Sequence, residues 1–316
     1  MPVVHITHTT EYRYARPVRF MPHRTMLRPR DSHDLWLKGA TLTLTPPAAA
    51  IRWAHDVFGN SVGHIDFGNA ESDVLRIESH LDVEHYPQPP LDLNALIDPV
   101  AATFPFSYAA EEFPDIARSL ERHYPDPDRA IDRWARQFLN PNGITQTADL
   151  LAAMTRAVKA DFTYAARDAQ GTNPPTQTLA TRAGACRDFA LLMMEACRSL
   201  GMATRFVSGY LYDEALVDSA ERVVGGGATH AWVDVYLPGA GWVEFDPTNG
   251  LIAGRNLIRV CVARTPEQAV PVAGGYLGGA NDFTGMHVDV RVEVDRLEPE
   301  ADERPAEPVG EAPAPA

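Results

Sequence analysis

The sequence predicts an α+β protein in which a small antiparallel β-sandwich precedes a segment of mixed helices and strands. Three observations support this fold class. Apolar and polar residues alternate through the first hundred positions, a helical period follows from about residue 115, and a helix start and a β-hairpin lie between residues 186 and 246. With 316 residues, of which 45% are hydrophobic, the chain can bury a core of ordinary size.

The predicted β-sandwich rests on short runs of residues that alternate with a period of two. In the first run the apolar residues Val4, Ile6, Tyr12 and Tyr14 all occupy even positions. This pattern indicates a strand or hairpin with one buried face. Similar runs occur at residues 41–45 and 75–83, with Pro, Gly and Asn turn signals between them. This spacing is typical of a small antiparallel sandwich, to which we assign residues 1–105.

The second predicted unit comprises residues 106–296 and begins with helices. Residues 115–139 have a helical pattern that Pro125 and Pro127 split into two pieces. Leu150, Met154 and Val158 continue a helical period towards the segment that carries the chemistry.

The last twenty residues, 297–316, are predicted to be a disordered tail. They contain six acidic residues against a single Arg304, together with five prolines. Such a segment cannot offset the entropy of ordering by burying apolar surface.

Composition also excludes several function classes. The chain has 28 Lys and Arg against 42 Asp and Glu, a formal net charge of −14, which argues against nucleic acid as a partner. No apolar run reaches the ~18–20 residues of a membrane span, and the first ten residues lack the features of a secretory leader. We therefore expect that the protein does not bind membranes. Three cysteines are too few for a disulfide framework, so we expect a cytoplasmic protein. The oligomeric state is left open.

Cys186 is the candidate nucleophile, because the pattern places it in the first turn of a helix. The apolar stripe of this helix consists of Phe189, Leu192, Met193, Ala196 and Leu200, and Gly201 is the expected terminating residue. The positive end of the helix dipole favours a thiolate, and the free N–H groups there can hold an oxyanion. The alternative is a small buried hydrophobic residue, which is our interpretation of Cys197 and Cys261.

A predicted β-hairpin supplies the remaining candidates. Residues 229–237 alternate cleanly, residues 238–241 turn the chain, and residues 242–246 return. If three residues form the loop, Trp232 lies opposite Asp246 and His230 is the diagonal neighbour on the same face. A loop of two or four residues would put His230 and Asp246 on opposite faces.

Together these residues form a candidate Cys-His-Asp triad. Cys186 would supply a soft nucleophile, and His230 would take its proton and return it to a leaving amine. Asp246 would fix the imidazole tautomer and stabilise the imidazolium.

Three motifs resemble the bacterial transglutaminase-like proteins of the papain-like superfamily. They are Gly-Ala-Cys-Arg-Asp-Phe-Ala at 184–190, His-Ala-Trp-Val-Asp-Val-Tyr at 230–236 and Gly-Trp-Val-Glu-Phe-Asp-Pro-Thr-Asn at 241–249. Tyr-Arg-Tyr at 12–14, Leu-Arg-Pro-Arg at 27–30 and Asp-Val-Phe-Gly-Asn at 56–60 resemble the β domain of the same subfamily, so the resemblance covers roughly residues 1–290. It implies a papain-like core in which the Cys-bearing helix packs on an antiparallel sheet. It also implies Cys186 as nucleophile, His230 as base, Asp246 as orienting residue and a protein or peptide substrate.

The sequence departs from this family pattern in two places. A side-chain oxyanion donor upstream of Cys186 is not evident, and Gln177 is the candidate, with a plain loop residue as the alternative. Residues 265–267 and 271–274 replace the family's Asp-Tyr and Pro-Val-Arg-Gly segments, and substrate choice can differ if that turn lines the cleft.

The remaining motifs are expected to have structural roles. Asp188 is expected to make structural hydrogen bonds at the helix start or to the neighbouring loop, and Trp232 to shield the His–Asp bond or pack in the core. Residues 225–227, a run of three glycines, are predicted to be a flexible loop beside the cleft.

Two histidine pairs suggest a metal site at first sight. The odd separations of His5 from His8 and of His80 from His85 put the members of each pair on opposite faces of a strand. We therefore predict no metal and no cofactor.

Two function classes remain open. The first is a thiol enzyme that forms an acyl-enzyme at Cys186 and passes the acyl group to an amine or to water. The second is a catalytically inactive module that binds a peptide in the same groove.

Overall fold

The computed structural model describes residues 3–86, 92–167, 170–212, 225–227, 229–252 and 256–295. The predicted disordered tail, residues 297–316, lies outside the described residues, as does the proline-rich stretch at 87–90.

Strands dominate the described chain. They are β1 (Val3–Phe20), β2 (His23–Arg28), β3 (Leu35–Thr45), β4 (Ala50–His55), β5 (Ser61–Asp66), β6 (Glu71–His85), β7 (Thr103–Phe104), β8 (Thr145–Gln146), β9 (Thr163–Tyr164), β10 (Ala183–Gly184), β11 (Thr204–Leu211), β12 (Gly225–Gly227), β13 (His230–Leu237), β14 (Gly241–Asp246), β15 (Leu251–Ile252), β16 (Leu257–Ala263), β17 (Val272–Ala273), β18 (Tyr276–Leu277) and β19 (Phe283–Asp295). The helices are α1 (Leu93–Leu96), α2 (Phe113–Leu120), α3 (Ala130–Arg136), α4 (Thr147–Asp161), α5 (Pro175–Thr181) and α6 (Cys186–Ser199), and a short 3₁₀ helix spans Pro266–Ala269.

The predicted antiparallel β-sandwich is confirmed. One sheet has the strand order β12-β19-β1-β6-β3, with β18 also paired to β1, and the other has the order β17-β2-β5-β4. Apolar side chains of both sheets share one core, which includes Leu27 and Ile65 from the smaller sheet and Leu75 and Ile77 from the larger. The apolar face predicted for β1 points into the protein, since Val4, Ile6 and Tyr14 are buried.

Strands from the end of the described chain complete this sandwich. β19 pairs with β1 from Val3 to Tyr14, although nearly the whole chain separates them. The three glycines 225–227 form strand β12 against β19, which corrects the prediction of a flexible loop. Pairing in a sheet uses backbone N–H and C=O groups and does not depend on the side chain. A run of glycines can therefore form a strand although it shows no alternation of apolar and polar residues.

A second unit has the predicted papain-like arrangement of a Cys-bearing helix on an antiparallel sheet. The sheet, called the core sheet below, has the order β15-β14-β13-β11-β16. Helix α6 packs against β13 and β11. Its stripe residues Phe189, Leu192 and Met193 are buried as predicted, and so are most of their neighbours, because α3 and α5 also contact this helix.

The large sheet of the β-sandwich also packs on the core sheet. Val4, Ile6 and Leu81 share an apolar cluster with Tyr210 and Ile258 of the core sheet. Two buried histidine–tyrosine hydrogen bonds of 2.9 Å cross the same interface, one between His8 and Tyr210 and one between His85 and Tyr212. This junction brings β1 of the β-sandwich to the same cleft as the first residue of α6.

None of the helices within the described ranges is both long enough and apolar enough to cross a membrane.

Candidate functional site

Cys186 is the first residue of α6, as predicted. Ala185 caps the helix in an extended conformation, and Gly201 follows the last turn with φ of +81°, the left-handed geometry expected of a terminating glycine. The chain before the helix is tightly packed, because a Cβ added at Gly184 would lie 2.8 Å from Cβ of Asp188. The side chain of Cys186 is therefore held at the positive end of a buried helix, where it is 8% exposed.

Asp188 has the structural role predicted for it. Its Oδ2 accepts a hydrogen bond from the Ala185 N–H at 2.9 Å, and its Oδ1 accepts from the Asn173 N–H at 2.7 Å. The guanidinium of Arg167 lies 3.1 Å from the same Oδ1. One buried carboxylate thus joins the start of the helix to the loop beside Cys186.

The hairpin has the register on which the triad prediction depends. Val233 lies opposite Phe245 and Leu237 opposite Gly241, so the loop has three residues and the register places Trp232 opposite Asp246. His230 and Asp246 therefore share one face of the core sheet, and Nε2 of His230 lies 2.8 Å from Oδ2 of Asp246.

Asp246 is fully buried and accepts four hydrogen bonds. Its Oδ1 accepts from the backbone N–H groups of Thr248 at 2.9 Å and Asn249 at 3.3 Å. Its Oδ2 accepts from His230 and from Nδ2 of Asn249 at 2.7 Å. Burial raises the pKa of Asp246, but the bonds from His230 and Asn249 outweigh it and hold the pKa below its usual value. The residue remains a carboxylate.

Asn249 contacts both members of the His–Asp pair, and the sequence had given it no role. It binds Asp246 and also lies 3.4 Å from Nε2 of His230. The available signal was an amide side chain three residues after an aspartate in an Asp-Pro turn, a spacing that favours local side-chain bonds.

His230 interacts with both of its predicted partners. Burial lowers its pKa, but hydrogen bonds and charge interactions with Asp246 and Cys186 outweigh this effect and raise the pKa to about 10. Because Nε2 is used by Asp246, the ring has Nδ1 left for the thiol. The thiol itself lies 4.0 Å from the carbonyl oxygen of Thr229, the residue before His230. The neighbouring carboxylate and thiol therefore favour the imidazolium form of His230.

Trp232 covers the His–Asp pair on the core sheet. Its ring stacks on the ring of His230 with a centroid distance of 5.9 Å and an interplanar angle of 29°. The indole is completely buried, so it both packs in the core and shields the pair from water. Room for it comes from Gly209, where an added Cβ would lie 2.7 Å from Cη2 of Trp232 and 2.1 Å from the carbonyl oxygen of Ile258.

A cleft of about 520 Å³ opens beside Cys186 and His230. The β-sandwich contributes one part of its wall, formed by His8, Thr10, Tyr12, Met286 and Val288. The core sheet contributes another part, formed by Phe206, Ser208 and Ala231. The segment in which the sequence departs from the family pattern also lines the cleft, through Pro266, Glu267 and residues 269–272. The turn that departs from the family pattern therefore lies at the cleft, which was the condition for a difference in substrate choice.

Gln177 lies in α5 and is not among the described residues that line the cleft. Its predicted role as an oxyanion donor receives no support from this position.

The other two cysteines are buried structural residues, as interpreted. Cys197 and Cys261 are at most 1% exposed, and burial raises the pKa of each thiol to about 12. Cys186 is thus the cysteine that lines the cleft.

Comparison with known proteins identifies the family. Residues 4–84 match the bacterial transglutaminase-like N-terminal region, and residues 133–247 match the transglutaminase-like superfamily. The chain belongs to the transglutaminase-like superfamily. The second match includes Cys186, His230 and Asp246, and the two matches together cover more than half of the chain.

Relatives of this transglutaminase-like protein match it over different shares of its length. The uncharacterized protein Rv2569c of Mycobacterium tuberculosis is 28% identical over 295 residues, which cover 90% of this chain and 91% of that protein. The uncharacterized protein ML0607 of Mycobacterium leprae is 38% identical over 118 residues, 36% of this chain and 38% of that protein. The crystal structure of a proposed cysteine protease from Cytophaga hutchinsonii has the same fold, with a TM-score of 0.65, 17% identity and coverage of 93% of this chain and 98% of that chain.

Proposed function

We propose that this protein is a cysteine-dependent enzyme that cleaves an amide or peptide bond through an acyl-enzyme at Cys186. The observation that carries the proposal is the position of His230, whose ring interacts with the carboxylate of Asp246 and with the thiol of Cys186. The family membership and a cleft large enough for a peptide side chain support the same chemistry.

Acylation begins from the thiolate–imidazolium pair. Sγ of Cys186 attacks the carbonyl carbon of the substrate, and a C–S bond forms as the carbonyl electrons move to oxygen. When the tetrahedral intermediate collapses, the C–N bond breaks and His230 donates its proton to the leaving nitrogen. Asp246 keeps the ring in place and stabilises its charge throughout.

Deacylation reverses these roles. The neutral imidazole of His230 takes a proton from the incoming amine or water, which attacks the thioester carbonyl. Collapse of the second tetrahedral intermediate expels the thiolate of Cys186, and the imidazolium forms again. An amine gives a new amide, whereas water gives a carboxylic acid.

The backbone N–H of Cys186 is the proposed oxyanion donor. It is the first N–H of α6 and has no acceptor within the helix, and the helix dipole adds positive potential there. This assignment needs no side-chain donor such as Gln177.

A glutaminyl peptide with and without a labelled primary amine tests the proposal. Release of ammonia with incorporation of the label identifies acyl transfer, and release of ammonia without incorporation identifies hydrolysis. A Cys186→Ser variant with an unchanged fold is expected to lose turnover, because the alcohol is a far weaker nucleophile. Peptide binding without turnover, equal in the wild type and the Cys186→Ser variant, would instead show a binding module.

A cytoplasmic location is part of the proposal. It is supported by three free and buried cysteines, which suit a reducing compartment. Fractionation of cells that produce the protein tests it, and recovery outside the cytoplasmic fraction would contradict it.

A further inference from the structure

A chain of buried hydrogen bonds runs from the core sheet to the cleft wall. The hydroxyl of Tyr210 lies 2.9 Å from Nδ1 of His8, and Nε2 of His8 lies 3.0 Å from Oγ1 of Thr10. Tyr210 and His8 are each 1% exposed, and Thr10 is 3% exposed. All three groups are uncharged near neutral pH, because burial raises the pKa of Tyr210 and lowers that of His8 to about 4.

The direction of this chain follows from counting protons. A neutral His8 has one donor and one acceptor nitrogen. Within the described part of the chain, the Tyr210 hydroxyl has His8 as its hydrogen-bond partner. If Nδ1 donated to it, the phenol proton would be buried without an acceptor, at a cost of about 1–3 kcal/mol. The phenol therefore donates to Nδ1, Nε2 carries the ring proton, and Nε2 donates to Oγ1 of Thr10.

This arrangement leaves the hydroxyl proton of Thr10 free to donate. Oγ1 already accepts from His8, and the described residues supply no acceptor for its proton. Thr10 lines the same cleft as Cys186, where its neighbours in the wall include the apolar side chains Phe206, Met286 and Val288. The charged side chains of Arg167, Arg187 and Glu267 line the same cleft, but a neutral hydroxyl donor beside apolar side chains suits an uncharged acceptor oxygen.

We propose that Thr10 of the β-sandwich is a substrate-binding residue that donates a hydrogen bond to a carbonyl or carboxamide oxygen of the acyl donor. Tyr210 and His8 act as positioning residues that set the direction of this hydroxyl. The inference rests on the proposed function, which it extends by assigning a subsite for the acyl donor to the β-sandwich.

Two alkylating probes separate this subsite from the nucleophile. Iodoacetamide reports the reactivity of Cys186 with minimal use of the cleft. A blocked tripeptide in which a chloromethyl ketone replaces the glutamine carboxamide must occupy the cleft before it alkylates the same sulfur. Rates of modification of Cys186 are measured by mass spectrometry for both probes over a range of concentrations.

Thr10→Val is the isosteric test, with Thr10→Ser as the conservative variant. We expect Thr10→Val to raise the half-saturating concentration of the tripeptide probe about tenfold, with its limiting rate and the iodoacetamide rate within twofold of wild type. Thr10→Ser should restore wild-type values. Thr9→Val is the matched control, because Thr9 faces the other side of β1 and donates to Glu78 at 3.1 Å.

Tyr210→Phe tests the positioning role. Without the phenol, Nε2 can accept from Thr10, so the variant should weaken tripeptide binding, and the Thr10→Val/Tyr210→Phe double variant should bind no worse than Thr10→Val alone. Additive losses in the double variant would overturn the relay.

The outcomes distinguish this inference from the function on which it rests. Normal iodoacetamide reactivity with tripeptide saturation unchanged in Thr10→Val would overturn the subsite and leave the nucleophile standing. A Cys186 inert to iodoacetamide and tripeptide alike would overturn the proposed function and the subsite with it.

Discussion

His230 occupies the centre of the site because its two ring nitrogens serve different partners. Asp246 binds Nε2 at 2.8 Å, and the partners of the ring raise the pKa of His230 to about 10. The imidazolium is therefore the resting form through neutral pH. The sequence predicted the contact between His230 and Asp246 on the condition of an odd loop, and the observed three-residue loop meets that condition. The sequence did not predict the role of Asn249, whose contact with Asp246 depends on the turn after β14.

The two partners of the nucleophile are expected to differ in their contribution to turnover. His230→Ala removes the proton carrier and should lower kcat by roughly 10⁵–10⁶-fold, whereas Asp246→Asn leaves nucleophile and base in place and should cost about 10⁴-fold. Turnover of a glutaminyl peptide measures both, with circular dichroism as the control for folding. An Asp246→Asn loss equal to or greater than that of His230→Ala would indicate a structural role for Asp246.

The raised pKa of His230 predicts a difference between two reactions at high pH. Above about pH 10 the imidazolium loses its proton, so it can no longer protonate a leaving nitrogen, while the thiolate persists. Amide turnover should therefore fall through about pH 10, whereas alkylation of Cys186 by iodoacetamide should not. Parallel pH profiles of kcat/KM and of the alkylation rate test this, and a common fall in both would contradict it.

At the scale of elements, α6 and the β13–β14 hairpin bring the three groups together. The sequence predicted both elements, since each has a complete local pattern. It did not predict why β11 must carry a glycine at Gly209. That requirement arises from Trp232 on the neighbouring strand and from the carbonyl oxygen of Ile258 on the other neighbour.

Gly209→Ala is expected to destabilise the core sheet. The added Cβ would meet the Ile258 carbonyl oxygen at 2.1 Å, and a backbone atom in a paired strand cannot move away cheaply. We expect a loss of about 3 kcal/mol in the free energy of unfolding, measured by denaturant titration. Gly285→Ala is the matched control in β19, because its added Cβ would meet nothing within 4 Å. Equal stability of the two variants would refute the steric argument.

At the scale of the whole molecule, the β-sandwich is part of the site. β1 lines the cleft with residues for which the sequence predicted no role in the site, among them His8 and Thr10. The sequence did not predict this, because the pairing of β1 with β19 and its packing on the core sheet join segments that are far apart in the chain. Local periodicity specifies a strand and its buried face, but not its neighbours.

The junction between the two units is expected to weaken in acid. Burial lowers the pKa of His85 to about 4, against a usual value of 6.5. As the pH falls below 6.5 the unfolded chain gains this proton first, so the folded state loses stability progressively down to about pH 4. Between pH 7.5 and 5 we expect His85 to account for about 2 kcal/mol of the loss in unfolding free energy.

Denaturant titrations of wild type and His85→Gln at pH 7.5 and pH 5 measure this term. The variant should lose less stability than wild type between the two conditions. His64→Gln is the control, because His64 is exposed on β5 and lies away from the junction. The same loss in wild type and His85→Gln would show that His85 does not couple the junction to pH.

The most direct test of the central claim is the alkylation rate of each cysteine by iodoacetamide at pH 6, mapped by mass spectrometry in wild type and in His230→Ala. An ordinary thiol with a pKa of about 8.5 is well under 1% thiolate at this pH. We predict fast alkylation of Cys186 alone in wild type, with Cys197 and Cys261 protected, and a loss of about 100-fold at Cys186 in His230→Ala. Equal, slow alkylation of all three cysteines, unchanged by His230→Ala, would contradict a thiolate–imidazolium nucleophile.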